Sequence, residues 1–309
     1  MVERMLKPQC MHPNVEVSVL LAVWNGGATL LPSVRSILNQ TFERFELLII
    51  DDESTDDSLR LIDSFRDSRI KLLINPHNMG LAASLNRGID AAAGRYIARM
   101  DIDDIAYPDR LEKQWRYLDQ HRDVDLLGTG ALMFRGQGHC VGVMPSVLGH
   151  SDILRLGLLG SFPLYHPTWM GRAEWFRRHR YDASFRKSED YELLLRAAST
   201  SKYENLPEIL LAYRYELSGS LRKRLEYRRH TWFAMQKNFL ATRDWAALIR
   251  GGAVAGAKAS RDLLFSLRVG GSAVEVSRVM RASVDELRRW SQVLEQVSVD
   301  SIPTFLERS

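Results

Sequence analysis

Three carboxylates crowd into Asp101, Asp103 and Asp104, in the stretch RYIARMDIDDIAYPDRLEKQ, directly after an apolar run. Like charges this close raise one another's pKa and repel, so folding gains nothing from them unless a positive group is near. Oxygen ligands in a chain with few cysteines suit a hard divalent cation, Mn²⁺ or Mg²⁺. Such ions are held by one or two carboxylates together with substrate phosphates. The plainer reading is an acidic turn capping the helix after Pro108, and Asp104 can serve that purpose alone. A second acidic pair, Asp51-Asp52, ends another apolar run, and a third, Glu189-Asp190, opens the helical stretch SEDYELLLR. The third pair suits the positive end of a helix and can equally supply a general base to an acceptor hydroxyl.

These residues need elements to hold them. VEVSVLLAV, FELLIID, IKLLINP and RYIARMD are β-branched or leucine-rich runs without a wet face, as in parallel strands covered on both sides. Between them lie helical repeats at about residues 30–39, after the acidic turn near Ser54 and Thr55, and over NMGLAASLNRGIDAAAG. Ser54 or Thr55 is the expected cap of the second helix, and Ser188 that of SEDYELLLR. Strand and helix alternating through short loops predict an α/β domain with a mostly parallel, Rossmann-like sheet flanked by helices. In such sheets ligands sit beyond the carboxyl ends of the strands, where both Asp51-Asp52 and Asp101-Asp104 fall. Beyond them, residues 136–165 read as a hairpin and a loose helix over that crevice. Strand-like pieces around Lys202–Asn205 and Ile209–Tyr215 close the module.

Composition narrows the classes. The 309 residues are 45% hydrophobic and 26% charged, with only Cys10 and Cys140, which excludes a disulfide framework and a cysteine zinc site. The N-terminal stretch has no apolar core of signal-peptide length, and no apolar run reaches the roughly 18 residues of a membrane span. A cytoplasmic location follows as the expectation. Charge is uneven: from 221 to 281, thirteen basic residues stand against four acidic ones. Trp232, Phe233, Trp245, Leu248 and Ile249 are interleaved with them, a mix that suits helices lying on anionic lipid at the inner face of a membrane. Helices packed on the first module with a solvated basic face are the alternative. No nucleic-acid module accompanies the charge, so no nucleic-acid partner is expected.

Four blocks, SVLLAVWNGGATLLPSVRSILNQTFERFELLIIDDESTDDS, NMGLAASLN, MDIDDIAYPDRLEKQ and SEDYELLLR, resemble in that order the family 2 glycosyltransferases of the GT-A fold. The resemblance covers about residues 15–218. It implies a nucleoside-diphosphate sugar donor (a UDP-sugar first), a divalent metal, and inversion at the anomeric carbon on transfer to a glycan or lipid-linked acceptor. Ala22, Val23 and Trp24 match the segment that holds base and ribose, with alanine and tryptophan where relatives usually carry proline and tyrosine. Asp52 matches the aspartate that hydrogen-bonds the base, and Glu53 replaces the usual glycine after it. Asn78 and Gly80 fit the turn into the third helix, with some donor contact. Asp101 and Asp103 match the DxD motif, Asp103 being the metal ligand of choice. Asp190, beside Glu189, aligns with the general base. His166, in YHPTWM, matches a histidine facing donor or metal; as a lone histidine it is equally a packed, hydrogen-bonded residue. Trp169, Trp175 and Tyr181 read as core.

Three segments result: an extension over 1–14, a GT-A domain over 15–218, and a basic amphipathic helical region over 219–309. A sugar nucleotidyltransferase lacks support, because AVWNGGATL carries no arginine-bearing glycine-rich loop. The set Asp52, Asp101, Asp103 and Asp190 also argues against a non-catalytic nucleotide-sugar or membrane-surface module.

Overall fold

The structure, a computed structural model, describes residues 15–215, 221–269 and 279–298. The expected extension over 1–14 lies outside the described residues. Strands β1 (Val17–Val23), β2 (Phe45–Asp51), β3 (Ile70–Ile74) and β4 (Tyr96–Met100) pair in parallel in the order β3-β2-β1-β4. Helices α1 (Leu30–Leu38), α2 (Ser58–Ser64) and α3 (Leu81–Ala91) carry the crossovers. β1 is apolar throughout because both its faces are covered. Val19 and Leu21 pack with Val34 and Ile37 of α1, while Leu20 packs with Leu85 and Ile89 of α3. All four strands therefore present their carboxyl ends at one edge, with the ends of β2 and β4 flanking that of β1.

The other half of the sheet is mixed. It contains β5 (Ile105–Ala106), β6 (Leu126–Arg135), β7 (His139–Met144), β8 (Met170–Arg172) and β9 (Tyr203–Arg214). The order continues β4-β8-β6-β9-β5, with β7 hairpinned onto β6. β8 runs antiparallel to both β4 and β6, so parallel pairing beyond β4 is confined to β6 and β9. The two strand-like pieces expected near 205 and 210 are one strand. Pro207, which has no N–H for the ladder, sits where the β6–β9 register slips between Gly128 and Gly130. Helices α4 (Arg110–Gln120), α5 (His150–Leu158), α6 (Ala173–Arg178) and α7 (Glu189–Ala197) complete this half.

Two helix starts differ from expectation. Ser188 precedes α7 but does not cap it: the residue is left-handed (φ 61°), and its hydroxyl lies 3.3 Å from that of Thr231. At α2 the Ser58 N–H bonds Asp56 Oδ1 at 3.0 Å, while the Ser54 hydroxyl instead receives the Asn25 N–H at 3.0 Å.

The basic region forms α8 (Leu221–Thr242), α9 (Trp245–Val269) and α10 (Val284–Val297). α8 packs on α7, where Ala234, Met235 and Phe239 meet Phe185, Tyr191 and Leu195. Of the two readings of these helices, packing is what this face of α8 shows. Phe233, Leu240, Trp245 and Ile249 remain exposed, Ile249 by 74%. α10 returns to the sheet. Trp290, Val293 and Val297 bury against Tyr107, Leu132 and Phe134, and the Trp290 indole N–H donates to the Gly138 carbonyl at 2.7 Å. α8 lies against α7, whereas α10 packs into the core formed with β6 and β7.

Deleting a buried Trp side chain costs about 3–5 kcal/mol. Trp290→Ala should lower the unfolding free energy in urea by that amount, and a loss under about 1 kcal/mol would show that α10 is dispensable.

Candidate active site

Where β1 and β2 end, Ala22, Val23, Trp24, Asp52, Asn78 and Gly80 line one cavity of about 460 Å³, together with Glu53, Thr55, Leu81 and Ser84. Trp24 is 60% exposed, a free aromatic face at the mouth. Asp52 is buried and holds the wall. Its Oδ1 accepts from Asn75 Nδ2 at 2.7 Å and the Met79 N–H at 2.8 Å, and its Oδ2 from the Gly80 N–H at 2.8 Å. Glu53 adopts φ 63°, the left-handed region that explains why glycine is usual here. Its carboxylate accepts the Asn78 N–H at 2.9 Å, which steadies the strained turn.

A second cavity, of about 530 Å³, shares Leu81 with the first and is lined by Asp101, His166, Glu189 and Asp190. Glu189 is buried, and desolvation aided by the neighbouring Asp190 pushes its carboxyl up to about 7. Burial also raises Asp190, against the pull of the Tyr191 N–H and of Arg99. His166 is packed edge-on against Trp169, with ring centroids 4.5 Å apart, and its Nε2 lies 2.7 Å from the Tyr181 hydroxyl. Burial, with Arg99 adding to it, holds the imidazole well below its usual pKa, so it is neutral at physiological pH. Both readings of His166 meet here: it is a packed, hydrogen-bonded side chain that also lines the cavity. Trp169, Trp175 and Tyr181 are core, as expected.

The DxD residues separate. Asp101 lines the second cavity, but both its oxygens are taken by the guanidinium of Arg99. Asp103 lies outside both cavity linings, half-buried, and its carboxylate accepts no hydrogen bond from another described residue. Burial and the nearby Asp101 raise its pKa. Asp104 is fully buried and takes the Arg214 N–H at 2.9 Å, a structural task. No group of three or more acidic, histidine or cysteine side chains among the described residues could hold an ion. Of the three acids only Asp103 has a carboxylate without a hydrogen-bond partner among the described residues, so a divalent cation here would take most of its ligands from elsewhere, such as a substrate's phosphates. Sequence reasoning missed Arg99, the next-to-last residue of β4, whose guanidinium reaches Asp101 just past the strand's end. It also missed Arg186 and Lys187, which directly precede the SEDYELLLR block, and Tyr213 and Tyr227, which come from distant segments and carry no local signal.

Residues 18–180 match the family model described as glycosyl transferase family 2. The chain belongs to that family. EpsE of Bacillus subtilis (strain 168), a glycosyltransferase by assignment, is 37% identical over 225 residues, which span 70% of this chain and 79% of EpsE. WfgD of Escherichia coli is named a UDP-Glc:alpha-D-GlcNAc-diphosphoundecaprenol beta-1,3-glucosyltransferase. It is 41% identical over 98 residues, 32% of this chain and 39% of WfgD. Among solved structures, S. aureus TarS 1–349 in complex with UDP-GlcNAc superposes with a TM-score of 0.60 at 19% identity. The match covers 92% of this chain and 82% of that one. The mannosyltransferase PcManGT from Pyrobaculum calidifontis, in complex with GDP-Man and Mn²⁺, gives a TM-score of 0.56 at 15% identity over 91% and 84%. The fold of this family 2 glycosyltransferase is the GT-A fold.

Two measurements probe the local physics. Glu53→Ala keeps the left-handed backbone and loses a hydrogen bond, costing about 1–2 kcal/mol, whereas Glu53→Gly relieves the strain and should cost less. Equal costs in urea unfolding would mean that φ plays no part. Glu189 binds its proton more tightly folded (about 7) than unfolded (4.5), so over that interval the native state carries the extra proton. The stability difference between wild type and Glu189→Gln should therefore fall as pH rises from about 4.5 to about 7. A rise across the same interval would contradict the assignment.

Proposed function

We propose that this enzyme performs an inverting transfer of a sugar from a nucleoside-diphosphate sugar, a UDP-sugar first, to a hydroxyl of a glycan or lipid-linked acceptor. The observation that carries the reading is the pair of cavities meeting at Leu81, one rimmed by Trp24 and Asp52, the other floored by Asp101, Glu189 and Asp190. The donor chemistry of TarS 1–349 and of WfgD supports a UDP-sugar, and WfgD's acceptor supports a lipid diphosphate.

In this reading the base stacks on Trp24. Asp52 Oδ2 carries a single hydrogen bond and retains a lone pair for a base N–H. Asp190 takes the proton of the acceptor hydroxyl from the side opposite the departing diphosphate. Beside it, Glu189 titrates near neutrality, so the two acids share their protons as a pair. Neutral His166 orients the Tyr181 hydroxyl and shapes the wall. Arg186, lining the second cavity, suits an anionic acceptor, whereas Lys187 Nζ is paired with Glu226 at 2.6 Å. A divalent cation, Mn²⁺ or Mg²⁺ held by Asp103, would supply Lewis-acid stabilisation of the leaving diphosphate. No helix of the described residues is long and apolar enough to cross a membrane. The exposed Trp245 and Ile249 beside Arg250 on α9 fit peripheral contact with an anionic lipid surface.

Turnover across a panel of nucleotide sugars, with and without Mn²⁺, tests the donor class and the metal. Asp190→Asn should keep donor binding in calorimetry while transfer falls by roughly 10²- to 10⁴-fold, the usual range for a general base. Loss of donor affinity instead would move Asp190 to the donor site and make Glu189 the base.

A further inference from the structure

α8 lies along the segment that opens α7, and a row of polar contacts binds the two together. Glu226 pairs with Lys187 at 2.6 Å, and Thr231 meets Ser188 hydroxyl to hydroxyl at 3.3 Å. Lys237 reaches both Asp182 and, at 3.5 Å, Glu192. Residues 182–192 are thereby laid against about three turns of α8. Glu189 and Asp190, within that segment, line the second cavity together with Tyr227 of α8. Ser188, directly before the two acids, is the strained point. It is buried and left-handed (φ 61°), a conformation that a β-carbon makes costly and that persists only where the surroundings over-determine it.

Thr231, itself buried, supplies the constraint. Its Oγ1 donates to the Tyr227 carbonyl one turn back at 3.0 Å, which spends its only hydrogen. At the contact with Ser188, therefore, the serine donates and the threonine accepts. That turns the Ser188 hydroxyl toward α8 and away from the N–H groups of α7, which is why the serine caps nothing. We propose that Thr231 is a positioning residue: by holding Ser188 in its left-handed turn, it sets Glu189 and Asp190 in the second cavity. The turn 227–231 of α8 then does two things, walling the cavity with Tyr227 and aiming its acids through Thr231. Both residues lie outside the stretch 18–180 that carries the family match.

The inference rests on the reading of Asp190 as the base, and the two fail differently. Glu189 reports the local geometry. Burial raises its carboxyl most, Asp190 and Asp101 add to the rise, and Arg99 pulls the other way. In carboxyl NMR spectra of the full chain, with Glu189→Gln identifying the signal, the wild-type group should titrate near 7. Thr231→Val removes the acceptor with little change of volume. The Glu189 midpoint should then fall by at least about half a pH unit, as water reaches a loosened helix start. Thr231→Ser keeps the hydroxyl and should restore the midpoint. Phe239→Leu, about two turns farther along α8, should lower Tm through the same packing yet leave the midpoint alone. UDP affinity in calorimetry should match wild type in all three, since α8 lines no part of the first cavity. If Thr231→Val does not fold, Ser188→Ala removes the donor of the same bond and should give the same fall. A midpoint unchanged or raised in the variant that folds, or lowered equally in Phe239→Leu, would overturn the inference while the base assignment stands. Loss of donor affinity in Asp190→Asn would instead remove the base assignment and leave Thr231 setting the acid pair.

Discussion

A carboxylate at the end of a buried strand persists only where donors meet it, and the donor side of this enzyme is organised around one such meeting. Asp52 receives Asn75 Nδ2 and the N–H groups of Met79 and Gly80, while its own N–H bonds the Val23 carbonyl at 2.7 Å. One residue thus joins the ends of β1 and β2, the segment leaving β3 and the start of α3. Asn75 extends the tie, donating to Ser84 Oγ at 2.8 Å and accepting from Arg87 Nη1 at 2.6 Å. The cavity wall is therefore set before any ligand binds, which keeps the ordering cost of binding low.

Beneath the second cavity the same rule is met with guanidinium groups. Arg99 serves Asp101, and Arg110 behind it donates to the Arg99 and Trp169 carbonyls instead of to an acid. Burial pulls Arg110 down to about 9, with Asp104 opposing the shift and Arg99 adding a little to it. Asp104, raised by its own burial and by Asp101 and Asp103, sits within the field of the same pair. Glu189 is pushed up to about 7 by its burial and by Asp190, with Arg99 pulling the other way.

Much of this was legible in the sequence, for reasons particular residues make plain. β1 to β4 announced themselves because their two covered faces demand unbroken apolar runs. The acidic clusters Asp51-Asp52 and Asp101-Asp104 stand at the strand ends where α/β sheets place ligands, while Ala22, Val23, Trp24, Asn78, Gly80 and His166 followed from the resemblance to family 2 glycosyltransferases. Ala22, Val23, Trp24, Asp52, Asn78 and Gly80 did converge on one cavity, and Asp101, His166, Glu189 and Asp190 on another. What could not be read depended on partners remote in sequence. Ser188 looks like a cap until Thr231, on a helix more than forty residues on, comes to lie against it. VDELRRWSQVLEQV reads as one more amphipathic helix until β6 and β7 supply the surface for Trp290. Asp101 looked short of a cation because pattern reading weighed the acids and passed over the arginine two residues before them.

The return of α10 changes what kind of object α8 and α9 are. Before them, the Tyr215 N–H bonds the Phe134 carbonyl at 2.7 Å; after them, Met280 bridges to Val143. Phe134 and Val143 belong to the two arms of a single hairpin, β6–β7. The residues flanking α8 and α9 on either side, Tyr215 and Met280, therefore stand on one platform. Closing a loop between two such points costs only about 0.6 kcal/mol more for each doubling of its length. The platform can thus tolerate excursions of very different size, and that is where one GT-A core can be refitted for new acceptors or surfaces without rebuilding the site beneath.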